Sequence, residues 1–255
     1  MKMKAQGEWI RDKYRILKAF PFVIGVLYFT EANTKLGPQT RFVHALDVKA
    51  AGENISEEPI LARDDSVFFP VREMFIEDGV LYQVFYRLEG NLLAHYIRHH
   101  APLPVSDMAW MVRGITSHLL RLYREGSFTI VHPQNIIITS GNAIRFLYGG
   151  PIGVLPKGIG ADRLPREDAL EMNHLYDSYT VGTLIYQMLT GKNPLAAGIE
   201  VPPISTYRPD CPGELEELVK KALSFAVRKR PRIEEIFGLL DHLTVSYGYK
   251  SEEKS

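Results

Sequence analysis

The sequence predicts an α+β chain in two lobes, a small antiparallel-sheet lobe followed by a helical one. Three observations carry this. The first part holds β-branched and aromatic runs broken by turn residues, and apolar positions three and four apart dominate after Gly90. Asp78-Gly79 stands between alternating apolar runs, the strongest short hairpin signal. Strands first and helices after give an α+β arrangement with its boundary near Arg87 to Gly90. The expected division is an N-terminal extension over 1–13, a first lobe over 14–88, a second over 89–247 and a disordered tail over 248–255.

Taken in order, Tyr14 to Phe20 and Gly25 to Thr30 read as strands around a turn at Pro21 and Gly25. Lys35 to Thr40 reads as a polar loop and Arg41 to Lys49 as a third strand. A weak helix is expected over Ser56 to Asp65, with Pro59 at an early position where it is tolerated. Val71 to Ile76 and Val80 to Tyr86 form the hairpin. Ser106 is expected to cap a helix whose stripe is Met108, Met111, Ile115, Leu119 and Leu122, ending near Gly126. Ile136 to Ile138 and Ala143 to Leu147 flank a short turn, and Gly149 to Lys157 is irregular. Helices over Asp177 to Thr190, Pro212 to Ala226 and Ile233 to Leu243 complete the second lobe.

Composition narrows the functional classes. The 255 residues carry 30 basic and 30 acidic side chains, so a bulk electrostatic grip on nucleic acid or anionic lipid is not expected. A 45% hydrophobic, 24% charged chain is globular. One cysteine, Cys211, leaves neither an internal disulfide nor a cysteine-based zinc site. The longest apolar run, Ala19 to Phe29, contains Pro21 and is far shorter than the ~20 residues that span a bilayer, so no membrane insertion is expected. With no apolar stretch in Met1 to Lys13 to serve as a signal peptide, a cytoplasmic location is expected. His95, His99 and His100 lack a carboxylate or cysteine at ligand spacing and read as surface helix residues. Arg228, Lys229, Arg230 and Arg232 read as a solvated helix junction, with an anion patch as the other reading.

Four segments resemble the protein kinase family. Residues 177–195 (DSYTVGTLIYQMLTGKNPL) are similar to its D-x-Y-S-L-G-x-x-L-Y-E-L-L-T-G-x-x-P-F segment, and Arg230-Pro231 before Ile233 to Leu240 to its R-P close. Residues 76–90 (IEDGVLYQVFYRLEG) resemble the hairpin and hinge, and Tyr14 to Tyr28 sits where the phosphate-loop hairpin belongs. The likeness runs from about residue 14 to 245 and implies a two-lobed kinase-like fold, closer to bacterial serine/threonine kinases in its short activation segment.

The chemistry that this family performs needs phosphates cradled and metal-bound charge neutralised. The resemblance places the glycine loop on Phe20, Phe22 and Gly25, so two of three glycines are phenylalanine. Its third-strand V-A-I-K falls on His44-Ala45-Leu46-Asp47, an aspartate at the lysine position. Lys49, two residues on and so on the same face, would reach from roughly 6 to 7 Å further along, with Glu57 or Glu58 as helix partner. Pro133-Gln134-Asn135 fixes the catalytic-loop register, which puts Ile130 at the aspartate, His132 at the lysine and Phe128 at the first histidine. Isoleucine can neither take a proton nor orient a hydroxyl. The D-F-G word becomes Tyr148-Gly149-Gly150 or Leu147-Tyr148-Gly149, and neither offers a carboxylate for Mg²⁺. Gly149 to Leu175 contains no Ser, Thr or Tyr for an activating phosphate. Glu167, in a degenerate P-E close, pairs with Arg230 in the family's pattern.

The expectation is a pseudokinase: no catalytic residue, with degenerate positions at Asp47, Ile130 and Tyr148, and residual cofactor-binding positions at Gly25, Lys49 and Asn135. Phe20, Phe22, Ile24, Ile130 and Tyr148 are expected to close the cleft. Such a chain takes no cofactor and acts on protein partners as a regulatory or scaffolding module. The alternative is a divergent active kinase using ATP and Mg²⁺ through Lys49 and an acid such as Asp162 or Asp168. A third reading, a small-molecule phosphotransferase, rests on the His132-Pro133-Gln134-Asn135 likeness to an H-P-x-N word.

Overall fold

The computed structural model describes residues 3–35, 37–47, 60–157, 166–197 and 200–247, without the side chains of 166–170 and 197. Two compact units emerge: residues 1–90 with 125–130 and 137–162, and residues 91–124 with 131–136 and 163–255. A strictly sequential division at 88/89 assigns the two later stretches of the first unit to the other half.

The first unit is built on a six-stranded antiparallel sheet in the order β1-β2-β3-β4-β6-β5. Its strands are β1 (Trp9–Ile10), β2 (Tyr14–Pro21), β3 (Val26–Thr34), β4 (Gly37–Asp47), β5 (Val71–Glu77) and β6 (Val80–Phe85). The expected extension is therefore part of the sheet. Ile10 pairs with Tyr14 and is fully buried, because an apolar side chain on an edge strand has a core face to fill. The expected polar loop over Lys35 to Thr40 is mostly strand: the β3–β4 ladder stays in register down to Thr34↔Gly37, where the Thr34 hydroxyl donates to the Gly37 carbonyl at 2.8 Å. Asp78 and Gly79 turn the β5–β6 hairpin with φ of 50° and 71°, both left-handed as an Asp-Gly turn requires. Of the expected Ser56 to Asp65 helix, Ile60 and Leu61 are helical and 56–59 lie outside the described residues.

Period two gives the sheet two buried faces. One holds Ile10, Tyr14, Tyr28, Val43, Ala45 and Val84; the other holds Leu46, Met74 and Leu81. Onto that second face pack residues from β8 (Ser127–Thr129) and from the chain around β11 (Gly149–Pro151), which pair antiparallel. β7 (Asn91–Leu92) precedes the first helix, and β9 (Ile136–Ile138) neighbours β10 (Ile144–Phe146).

The second unit is helical. It contains α1 (Leu93–His100), α2 (Val105–Arg124), α3 (Arg166–Thr190), α4 (Gly213–Ala222) and α5 (Ile233–Ser246). The expected stripe of α2 is buried, and this helix runs against α5 through Ile236, Leu240 and Leu243. Ser106 does not cap it. The Pro104 carbonyl is the first acceptor, from Met108 N at 3.1 Å, and the Ser106 hydroxyl donates to Asp107 instead. Helix α3 begins at Arg166, well before the expected Asp177, and ends at Gly191 with φ 68°.

Candidate functional site

The first unit places four of the five residues expected to close the cleft, Phe22, Ile24, Ile130 and Tyr148, in one apolar cluster. Phe128, on β8, and Tyr148, before β11, meet edge-on with ring centroids 6.2 Å apart. Around them lie Leu46, Ile60, Met74, Leu81 and Leu155, with Phe22, Ile24, Ile130 and Val154 packed against the outside. Tyr148 is 1% exposed, and its hydroxyl donates to the Pro156 carbonyl at 2.7 Å. Residues 154–156 thus fold back over the tyrosine.

Two expectations need correction. Phe20 does not belong to this cluster; it lies in β2 opposite Leu27, with the Lys18 ammonium 5.0 Å from its ring centroid. Asp47 shares its strand face with Val43 and Ala45, which belong to the other cluster. The residues of β4 that share a face with the Tyr148 cluster are His44 and Leu46. Successive side chains of a strand alternate between faces, so His44 and Leu46, and not Asp47, are the β4 side chains beside Tyr148.

His44 is a residue whose importance the sequence did not disclose. It is fully buried, with ring centroids 5.1 Å from Phe22 and 5.3 Å from Tyr148. Its Nε2 stands 2.6 Å from the Ile24 carbonyl and its Nδ1 3.4 Å from Gln83 Nε2. A carbonyl only accepts, so Nε2 carries the proton and Nδ1 accepts from the Gln83 amide. Gln83 is itself fully buried, and its Oε1 has no partner among the described residues. Burial pushes the His44 pKa down to about 4, the Arg63 charge adds to this, and the Ile24 carbonyl opposes it. The bend over 22–25 is thereby fastened to β4. Gly25 completes the fastening: at φ 77°, a Cβ there would stand 2.2 Å from the Ala45 carbonyl oxygen. The one glycine kept from the expected loop serves close approach to the sheet.

Arg63 is the second such residue. Its guanidinium is buried and donates to the carbonyls of Leu147 at 3.2 Å, Gly149 at 2.9 Å and Phe69 at 3.2 Å. It also lies 4.7 Å from the centroid of the Phe68 ring. Burial lowers its pKa to about 10, still far above neutrality, while Asp65 and Tyr148 favour the charged form. A fixed cation therefore brackets Tyr148. Magnesium needs carboxylate oxygens, and here the D-F-G positions offer the buried side chains Leu147 and Tyr148 beside a guanidinium. Among the described residues, those at these positions do not fit the metal, nor does Leu46 fit a phosphate.

In the second unit, His132 precedes a short 3₁₀ turn over Pro133–Asn135, and its Nδ1 accepts from Gln134 N at 3.2 Å. Asn135 is fully buried, and its backbone N–H donates to the His132 carbonyl at 2.8 Å. Arg230 donates to the carbonyls of Ser224 at 3.0 Å and Leu175 at 3.1 Å and sits 4.6 Å from the Tyr179 ring centroid. Its expected partner, Glu167, has no described side chain. Lys49, Glu57, Glu58 and Asp162 lie outside the described residues, as does the side chain of Asp168. His99 and His100 face the carbonyls of His95 and Tyr96 on α1, at 2.8 and 2.9 Å.

No protein-family model matches the chain, and no curated protein is similar to it. Solved structures are. The kinase domain of PknI from Mycobacterium tuberculosis matches with a TM-score of 0.63 at 17% identity, over 94% of this chain and 99% of that one. A cysteine-to-alanine variant of that domain matches with the same values. The chain thus has a protein kinase-like α+β fold.

Proposed function

We propose that this chain is a pseudokinase: a kinase-like domain that transfers no phosphoryl group and works by binding protein partners, as a regulatory or scaffolding module in the cytoplasm. The observation that carries the reading is the set of side chains around Tyr148. Phosphoryl transfer is positioning plus charge neutralisation, and the side chains around Tyr148 are of the wrong kind for both. Leu46 replaces a cation, and Ile130 replaces a proton acceptor. Leu147 and Tyr148 replace a metal-binding carboxylate, and the Arg63 guanidinium lies against the Leu147 and Gly149 carbonyls on either side of Tyr148. The 22–25 bend, held by His44, and Leu155 fill the same face of the sheet with hydrocarbon.

The test is a titration of the purified chain with ATP, with and without Mg²⁺, followed by melting temperature. A ligand at a hundred times its Kd stabilises by about 2.7 kcal/mol, a shift of several degrees for a chain of this size. The expected result is no shift at millimolar ATP in either condition. A Mg²⁺-dependent rise overturns the reading, as does autophosphorylation that Lys49→Ala abolishes, which the divergent-kinase alternative requires.

A further inference from the structure

The second unit contains a cavity of about 510 Å³ that the kinase-like chemistry does not use. Its walls are the C-terminal half of α3, one side of α4 and the connection between them. Tyr179 and Tyr186 come from α3, seven residues apart and so on one helix face; Glu216 and Val219 line it from α4, and Leu223 from the residue that follows the helix, at the same kind of spacing. The third wall is Val201-Pro202-Pro203-Ile204.

This cavity is held open by bonds rather than left by poor packing. The Tyr186 hydroxyl donates to the Pro202 carbonyl at 3.0 Å, and Ser205 N donates to the Glu216 carboxylate at 2.6 Å. These two bonds pin the connecting segment to α3 at one end and to α4 at the other. Helices α3 and α4 themselves touch at Gly182, where a Cβ would meet the Ala222 Cβ at 2.6 Å. The walls therefore cannot move inward without breaking a tie. At the mouth, Leu195 is 62% exposed and Phe225 77% exposed. Two large apolar side chains left in water at the rim of an apolar cavity mark a binding surface, and the volume lies within the range of small-molecule sites.

The charged groups of the lining are Glu216, Glu217 and Lys220, a surplus of one negative charge. Hydrogen bonding from Ser205 holds Glu216 ionised, below the usual carboxylate range. Glu217 has only long contacts to Lys220 and Lys221, at 3.8 and 3.9 Å, so its oxygens retain acceptor capacity.

We propose that this cavity binds a small, mostly apolar amine, with its hydrocarbon or aromatic body between α3 and α4 and its ammonium group at the Glu216–Glu217 edge. The site lies wholly in the second unit and stands or falls independently of the pseudokinase reading. Calorimetric titration of the full chain with dodecylamine, dodecanol and dodecanoate, each below its micelle-forming concentration, tests it. The expected result is one saturable site for the amine, filled at least about fivefold more tightly than for the carboxylate. Glu217→Gln is expected to remove most of that preference. Replacing Leu195 and Phe225 together by serine is expected to weaken the amine and the alcohol at least about tenfold; both positions are solvent-facing, and an unchanged melting temperature checks the fold. No saturable amine binding, tighter binding of dodecanoate, or binding indifferent to the serine pair overturns the proposal. So does concentration-dependent self-association that the serine pair abolishes in a chain that ignores the amine, since a second copy would then be the occupant.

Discussion

Burial holds His44 neutral down to about pH 4, whereas the same imidazole in the unfolded chain titrates near 6.5. Between those values the unfolded state binds the extra proton, so stability falls as the pH drops through this window. The loss between pH 7 and 4.5 is on the order of 2–3 kcal/mol from this group. His44→Leu is expected to flatten urea-unfolding stability over that range by most of this amount. An unchanged slope in the variant means that the buried imidazole is not the titrating group. The sequence disclosed this scale unevenly. Ile130 and Tyr148 were legible because Pro133-Gln134-Asn135 and the glycines at 149 and 150 anchor their registers. His44 and Arg63 were not, since a lone polar residue in an apolar strand, or one beyond a weakly signalled helix, belongs to no spacing pattern. Only packing shows that each meets carbonyl groups distant in the chain, at Ile24 for one and at Leu147 and Gly149 for the other.

Most strands and helices could be read from period and punctuation, because an apolar face two or 3.6 residues apart survives any tertiary context. Failures came where a second force set the boundary. The β3–β4 ladder extends through polar residues because cross-strand pairing continues once in register, whatever the side chains. Helix α3 starts early because its first turns lack an apolar stripe, so pattern alone starts it at Asp177. At Asp47 a strand read from sequence does not tell which face meets Tyr148, and alternation puts this side chain on the opposite one. At this scale Gly182 sets how closely α3 approaches α4. Gly182→Val is expected to destabilise the chain by about 1–3 kcal/mol through overpacking, seen as a lower urea midpoint. A midpoint equal to that of the parent chain means that the helices can separate freely there. Ile10 offers a matching check on β1: its truncation to alanine is expected to cost about 2–4 kcal/mol, as for other fully buried isoleucines, and a cost near zero removes β1 from the core.

For the whole molecule, 30 positive and 30 negative side chains leave no net field to attract a polyanion. Duplex DNA at 0.15 M salt is expected to bind no more tightly than a Kd of about 0.1 mM, measured by fluorescence anisotropy; a steep salt-dependent affinity overturns this. Balanced charge was read directly from composition, while the sign of the charge buried beside Tyr148 was not. That buried charge bears on what a substitution beside it can do. Restoring a carboxylate with Tyr148→Asp would create no magnesium site, because the nearest claimant is Arg63, already desolvated and held by the carbonyls on either side. The new anion would be captured as an internal salt, and equilibrium dialysis against Mg²⁺ is expected to find nothing gained. Under the pseudokinase reading proposed above, removing Arg63 alone strands three carbonyls and adding the carboxylate alone yields only that internal salt, so neither substitution by itself makes a metal site.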